Sequence, residues 1–238
     1  MKGLRFRSVY LFIFGILIIN TSFAQEKVLL SPEEFAKSVS PAVFLLDVRS
    51  PTEFAKSHLA NAVNVNVMDS TKNFTEEVSK LSNDKTIYLY CQSGKRSARA
   101  AALLNKAGYN TVEINGGLLN WQADNKPLVD VKGSVNNELT VEEFKRLTAL
   151  NDKVVVKFYH PVCKPAPKIE EYLRKAEKES DGKMTIVRLD MSKHKTVSKE
   201  LQVSTYPRIQ IYKKGKLQWQ STEYMKEKAM LRMIKTHL

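Results

Sequence analysis

Cysteine and histidine are scarce in this chain of 238 residues, which holds 2 cysteines and 4 histidines. None stands at metal-ligand spacing, so no resident metal is expected, and no motif calls for a cofactor. Long apolar runs are equally few. The run from Val9 to Ile19 falls short of the roughly 20 residues that a spanning helix needs. It follows Lys2, Arg5 and Arg7 and leads into Asn20, Thr21, Ser22 and Ala24, the pattern of a signal peptide over residues 1–24 cleaved before Gln25. An uncleaved anchor is the alternative; the absence of cysteine after the run argues against a lipoprotein. No other segment is apolar enough to span a bilayer, so the expected product is a soluble exported protein, periplasmic in location, and not an integral membrane protein after cleavage.

The chain also lacks internal repeats, low-complexity tracts and any compact arginine-rich arm. Its net charge of +13 is unevenly spread: residues 25–133 carry 13 Lys and Arg against 12 Asp and Glu, whereas residues 134–238 carry 22 against 13. The cations of the second half are mostly lysines scattered among glutamates, as in Lys175-Ala-Glu-Lys178-Glu179. That pattern reads as a solvated face, and nucleic acid is not an expected partner.

Two α/β units are predicted, at residues 25–130 and 138–238, joined by a linker at 131–137 within an irregular stretch running from Asn125 to Asn137. In the first, Ser31-Pro-Glu-Glu34 is a capping box with proline at the first helical position. Val43 to Asp47 and Ile87 to Tyr90 are short unbroken apolar runs of the kind found in parallel strands covered on both faces. A helix from Ser97 stops at Gly108, Thr111 to Ile114 forms a strand, and a helix begins at Leu118 after the Gly116-Gly117 turn. In the second, Thr140-Val-Glu-Glu143 opens a helix to Leu150, and Val154 to Phe158 is a buried strand. Helix 167–180, strand 184–190, helix 196–201, strand 208–212, a hairpin at Lys214-Gly215, strand 217–220 and a terminal helix follow.

Each cysteine lies between a strand-like and a helix-like run, where loop amides and a helix N-terminus stabilise a thiolate. Both are therefore read as separate active positions, with a disulfide between them as the alternative. The loop Cys91-Gln92-Ser93-Gly94-Lys95-Arg96-Ser97 describes an anion-cradling nucleophile. Gly94 allows the left-handed backbone that turns amides inward, and Arg96 supplies a fixed charge for a sulfonate-like group.

Together with Asp47-Val-Arg49, Glu53-Phe54, His58-Leu59, Ala62-Val63-Asn64 and Gly116-Gly117-Leu-Leu-Asn-Trp121, that loop closely resembles the rhodanese family over residues 28–128. The resemblance implies a persulfide cycle in which Cys91 takes sulfane sulfur from a small donor such as thiosulfate and passes it to a thiol acceptor, a protein thiol included. Asp47, Arg49, Glu53 and His58 are expected to be scaffold residues. Ser57 and Asn61 stand where the family often has glycine, and asparagine tolerates the left-handed turn. A dual-specificity phosphatase is a weaker resemblance, since four residues separate Cys91 from Arg96 against five in that pattern, and Tyr90 stands where many phosphatases have histidine.

Phe158-Tyr-His-Pro-Val-Cys163-Lys-Pro165-Ala166 resembles the thioredoxin active-site stretch, and Val203-Ser-Thr-Tyr206-Pro207 resembles the segment carrying that family's cis-proline. Ala166 occupies the place of the second cysteine, and Lys157 that of a buried aspartate. A lone Cys163 forms mixed disulfides that an outside thiol must resolve, so dithiol reductase activity is not expected. The leading expectation is an exported sulfurtransferase. The alternative is an envelope protein that binds or docks thiol partners without turnover.

Overall fold

The computed structural model describes residues 28–69, 73–81, 86–130, 138–162 and 167–238. The expected leader at 1–24 and linker at 131–137 lie outside the described residues, as do Cys163 and Pro165. The first unit is built on a fully parallel sheet. Its strands are β1 (Val28–Leu30), β2 (Phe44–Asp47), β4 (Val63–Asn64), β5 (Thr86–Tyr90) and β6 (Asn110–Ile114), in spatial order β1-β6-β5-β2-β4. A small antiparallel pair, β3 (Ser57–His58) with β7 (Val129–Asp130), completes it. β7 lies inside the stretch expected to be irregular. Two residues are too few to show a period, and the pairing is supplied by the distant partner strand.

Both faces of the sheet are covered, as the apolar runs required. Leu46, Ile87 and Leu89 pack with Ala100, Ala101 and Leu104 of α4 (Lys95–Lys106) and with Phe74 and Val78 of α3 (Phe74–Leu81). On the other face, Leu45 and Tyr90 meet Phe35 of α1 (Pro32–Ser38) and Leu118 and Trp121 of α5 (Gly117–Ala123). The Ser31 capping box forms as expected. A second one, Ser50 with Glu53, opens α2 (Pro51–Lys56).

The second unit is a mixed sheet of β8 (Lys153–Tyr159), β9 (Thr185–Asp190), β10 (Arg208–Lys213) and β11 (Lys216–Ser221), in order β11-β10-β8-β9. β8 and β9 are parallel, whereas β10 runs antiparallel to both β8 and β11. Helices α6 (Val141–Leu150) and α8 (Lys195–Glu200) cover one face, and α7 (Pro167–Glu179) and α9 (Glu227–His237) the other. The Thr140 capping box and the Lys214-Gly215 hairpin form as expected, both hairpin residues having positive φ. Among the described residues no helix is long and apolar enough to cross a membrane.

The two units are joined through α5, all seven of whose residues are buried. Leu118 and Trp121 belong to the core of the first unit, while Leu119 and Ala123 belong to that of the second, beside Leu139, Phe144, Leu147 and Val187. His194 fastens the far end of the helix. The sequence gives this histidine no partner, yet it is fully buried between the units. Its Nδ1 accepts from the Leu139 N–H at 2.9 Å, which leaves the proton on Nε2 to donate to the Ala123 carbonyl at 3.1 Å. Burial lowers its pKa, outweighing the Ala123 hydrogen bond and the charges of Asp190 and Glu138.

The folded pKa lies below the ordinary 6.5, so the unfolded chain takes up the proton first as pH falls. This contribution to stability is therefore complete above that value and is lost as pH falls from it toward the folded pKa. The thermal midpoint should drop between about pH 7 and about pH 5 more steeply in wild type than in His194→Gln. Parallel pH curves for the two proteins would contradict the neutral bridge.

Candidate active site

Asp47 and Tyr90 end adjacent parallel strands, which brings the segments after β2 and β5 to the same carboxyl edge of the sheet, where open α/β folds bind ligands. Cys91 follows Tyr90 directly and is a free, buried thiol, 1% exposed. Gly94, at φ 92°, caps α4 and donates its N–H to Cys91 Sγ at 3.2 Å. Ser97, one turn into that helix, has its Oγ 3.7 Å from the sulfur and donates to the Gly94 carbonyl at 3.0 Å. Ser93 is buried, Gln92 and Arg96 are partly exposed, and Lys95 is exposed.

Three of the four residues expected to be scaffold, Asp47, Arg49 and Glu53, brace this loop. Asp47 and Arg49 form an ion pair at 2.6 Å, with side chains 0% and 2% exposed. The Arg49 guanidinium also donates to the Ser57 carbonyl and to Gln92 Oε1 at 3.2 Å, and lies 5.8 Å from the centre of the Tyr90 ring. His58 stacks on Phe54 and bonds through Nδ1 to the Phe54 carbonyl at 3.0 Å. The Tyr90 hydroxyl accepts from the Leu59 N–H at 3.0 Å, while Asn61 takes the left-handed turn at φ 63°.

Arg96 is placed differently from the sequence expectation. Its guanidinium is engaged by both carboxylate oxygens of Glu53, at 2.6 and 2.7 Å, and not held free for an incoming anion. The hydrogen bonds from Arg96, aided by those of the Ser50 cap and opposed by burial, hold the Glu53 pKa down at about 2. The same pair raises the pKa of Arg96. Glu53 is the third residue of α2, and its position is already set by the capping box.

The rear wall is the Gly116-Gly117 turn, with φ of 75° and 64°. A methyl on Gly117 would lie 2.6 Å from the Cys91 carbonyl oxygen and 2.8 Å from the Gly94 nitrogen, closer than any side chain can come. The amides that follow, Leu118 N–H and Leu119 N–H, donate to the carbonyls of Cys91 and Gln92 at 2.8 and 3.0 Å.

In the second unit the Tyr206–Pro207 bond is cis. His160 lies 5.9 Å from the Tyr206 ring, and the Tyr206 hydroxyl donates to the Val203 carbonyl at 3.1 Å. Lys157 is 12% exposed and pairs with Glu170 at 2.8 Å, so its charge is directed to that carboxylate. The cis-proline turn precedes Arg208, which pairs with Phe158 near the end of β8. The start of β8 lies near the Cys91 loop: a cavity of about 470 Å³ is lined by Ser93, Gly94 and Lys95 together with Asn151, Asp152 and Lys153. The turn thus lies near one end of β8, and the cavity beside the Cys91 loop near the other.

Fold and loop together define a two-domain α/β protein that carries a buried cysteine between a parallel strand and a helix. The chain belongs to the rhodanese-like domain family over residues 31–124 and carries a thioredoxin domain over residues 135–236. The putative sulfurtransferase YtwF of Bacillus subtilis is 32% identical over 85 residues, 36% of this chain and 79% of that protein. A sulfurtransferase of Allochromatium vinosum is 30% identical over 38% of this chain and 82% of its own length. Among solved structures, a rhodanese-related protein from Thermoplasma volcanium is 28% identical, covering 43% of this chain and 97% of its own, with a TM-score of 0.38.

A substitution separates the steric role of Gly117 from a general preference for glycine. Gly108 also has a left-handed backbone, but nothing lies within 4 Å of a methyl placed there. Gly108→Ala should cost about 1 kcal/mol from backbone strain alone. Gly117→Ala should cost at least about 2 kcal/mol more in denaturant unfolding, because the loop backbone must move. Equal losses would show that the close approach to Cys91 carries no weight.

Proposed function

We propose that the protein is an exported sulfurtransferase in which Cys91 carries sulfane sulfur to a thiol acceptor. The observation that carries this reading is the free Cys91 thiol with the Gly94 N–H on its sulfur, inside a rhodanese-like domain whose relatives are named sulfurtransferases. With thiosulfate as donor, the Cys91 thiolate attacks the sulfane sulfur, the donor S–S bond breaks, and sulfite leaves with the bonding pair. The Cys91 persulfide is then attacked at its outer sulfur by an acceptor thiolate. This releases the Cys91 thiolate and leaves the sulfur on the acceptor.

Loop residues Gln92, Ser93, Gly94, Lys95, Arg96 and Ser97 frame the persulfide, Gly94 through its amide and Arg96 by bracing the loop against Glu53. The leader at 1–24 directs the chain to the periplasm, and the segment at 131–137 links two units bounded at 25–130 and 138–238. Cys163, Pro165, Tyr206 and Pro207 form a second thiol site without dithiol chemistry. It serves to engage thiol partners, and no nucleic acid, metal or cofactor takes part.

Incubation with thiosulfate should add about 32 Da, one sulfur atom, to intact protein by mass spectrometry, and Cys91→Ser should abolish the gain. Equal labelling of the two would remove Cys91 from its role, and no labelling of wild type would favour a docking protein. In this reading the acceptor is an external thiol, and relay through Cys163 is the alternative that decay of the Cys91 persulfide separates. Persulfide on Cys91 should therefore decay at the same rate in wild type and Cys163→Ala when a small thiol is supplied; a tenfold slower decay in the variant would show transfer through Cys163.

A further inference from the structure

We propose that Asn115, Asn120 and Thr185 are positioning residues for Cys91, which makes the thioredoxin domain a working part of the sulfur site and not only an appended module. The inference rests on the role assigned to Cys91 above. It begins at β9, an edge strand whose outer carbonyls have no neighbouring strand to bond. The rhodanese-like domain supplies the donors. Asn115 Nδ2 donates to the Met184 carbonyl at 3.0 Å and Asn120 Nδ2 to the Ile186 carbonyl at 3.2 Å. Between them, the Thr185 hydroxyl donates back to Asn115 Oδ1 at 3.0 Å. All three residues are buried, Asn120 completely.

These bonds end on the turn that backs the cysteine loop. Asn120 Nδ2 also donates to the Asn115 carbonyl at 2.9 Å, tying the helix to the residue just before Gly116. Gly116 and Gly117 are then gripped from opposite sides. A methyl on Gly116 would lie 2.8 Å from Thr185 Cγ2, in the thioredoxin domain, whereas one on Gly117 would lie 2.8 Å from the Gly94 nitrogen. That nitrogen carries the N–H directed at Cys91 Sγ. A continuous run of hydrogen bonds and close contacts therefore joins Thr185 to the Gly94 N–H on the sulfur, through groups too tightly packed to shift singly.

The test uses the full chain and reads Cys91 without requiring turnover. In a background where Cys163 is replaced by Ala, the rate of Cys91 alkylation by iodoacetamide is followed against pH in wild type, Thr185→Val, Thr185→Ser and Asn115→Ala. Removing the hydroxyl in Thr185→Val or the amide in Asn115→Ala should displace the alkylation profile and slow sulfur loading from thiosulfate about fivefold, the scale of one hydrogen bond. Thr185→Ser, which keeps the hydroxyl bond to Asn115 but loses the Cγ2 against Gly116, should fall closer to wild type than to Val. A Val variant with a lowered melting temperature but an unchanged profile would show a structural contact only and overturn the proposal. So would a Ser variant displaced as far as Val. If Thr185→Val fails to fold, Asn115→Ala decides the same question from the other side of the interface. A wild type that alkylates normally yet takes no sulfur would defeat the assigned function and leave the positioning result standing.

Discussion

A helix with no face in water must be buried by more than one neighbour, and α5 is such a helix. Its seven residues, Gly117 to Ala123, are all buried, and its apolar side chains are divided between two cores. Full burial of Leu118 or Leu119 is worth about 1.5 to 3 kcal/mol each, and each contribution depends on a different domain being in place. The same helix begins with the two glycines that press on the Cys91 loop. The geometry around the sulfur and the docking of the domains are therefore set by one element.

The two sides of the sulfur loop are held by different kinds of interaction. In front, charged pairs fix the loop: Asp47 with Arg49 in full burial, and Glu53 with Arg96 nearer the surface. Behind, contact is between backbones, where a glycine is required because nothing larger fits. Ion pairs tolerate small adjustments in length, whereas close-packed backbones do not. The rear wall sets position, and the front wall sets charge.

Most of the fold was legible because its signals are local. The capping boxes at Ser31 and Thr140, the strand runs before each cysteine, and the turns at Gly108 and Lys214-Gly215 each report their structure within a few residues. The motifs of the first domain also gave the family and the cysteine loop. Interactions that depend on a remote partner left no such trace. β1 and β7 are too short to show a period, and Glu53 does not announce that it will occupy Arg96 across 43 residues of chain. His194 shows no partner pattern in the sequence because its partners, Leu139 and Ala123, are 55 and 71 residues away. Asn115 and Asn120 were hidden for the same reason: their amides complete a strand edge in another domain.

The amide ladder on β9 also bears on how such a protein could be dissected. An edge strand stripped of its cover offers a row of free carbonyls and amides to any passing chain, and α5 stripped of its second core offers Leu119 and Ala123 to water. Cutting the chain between its domains would thus uncover two surfaces that the seam keeps buried. The seam is what covers the β9 edge and the second face of α5.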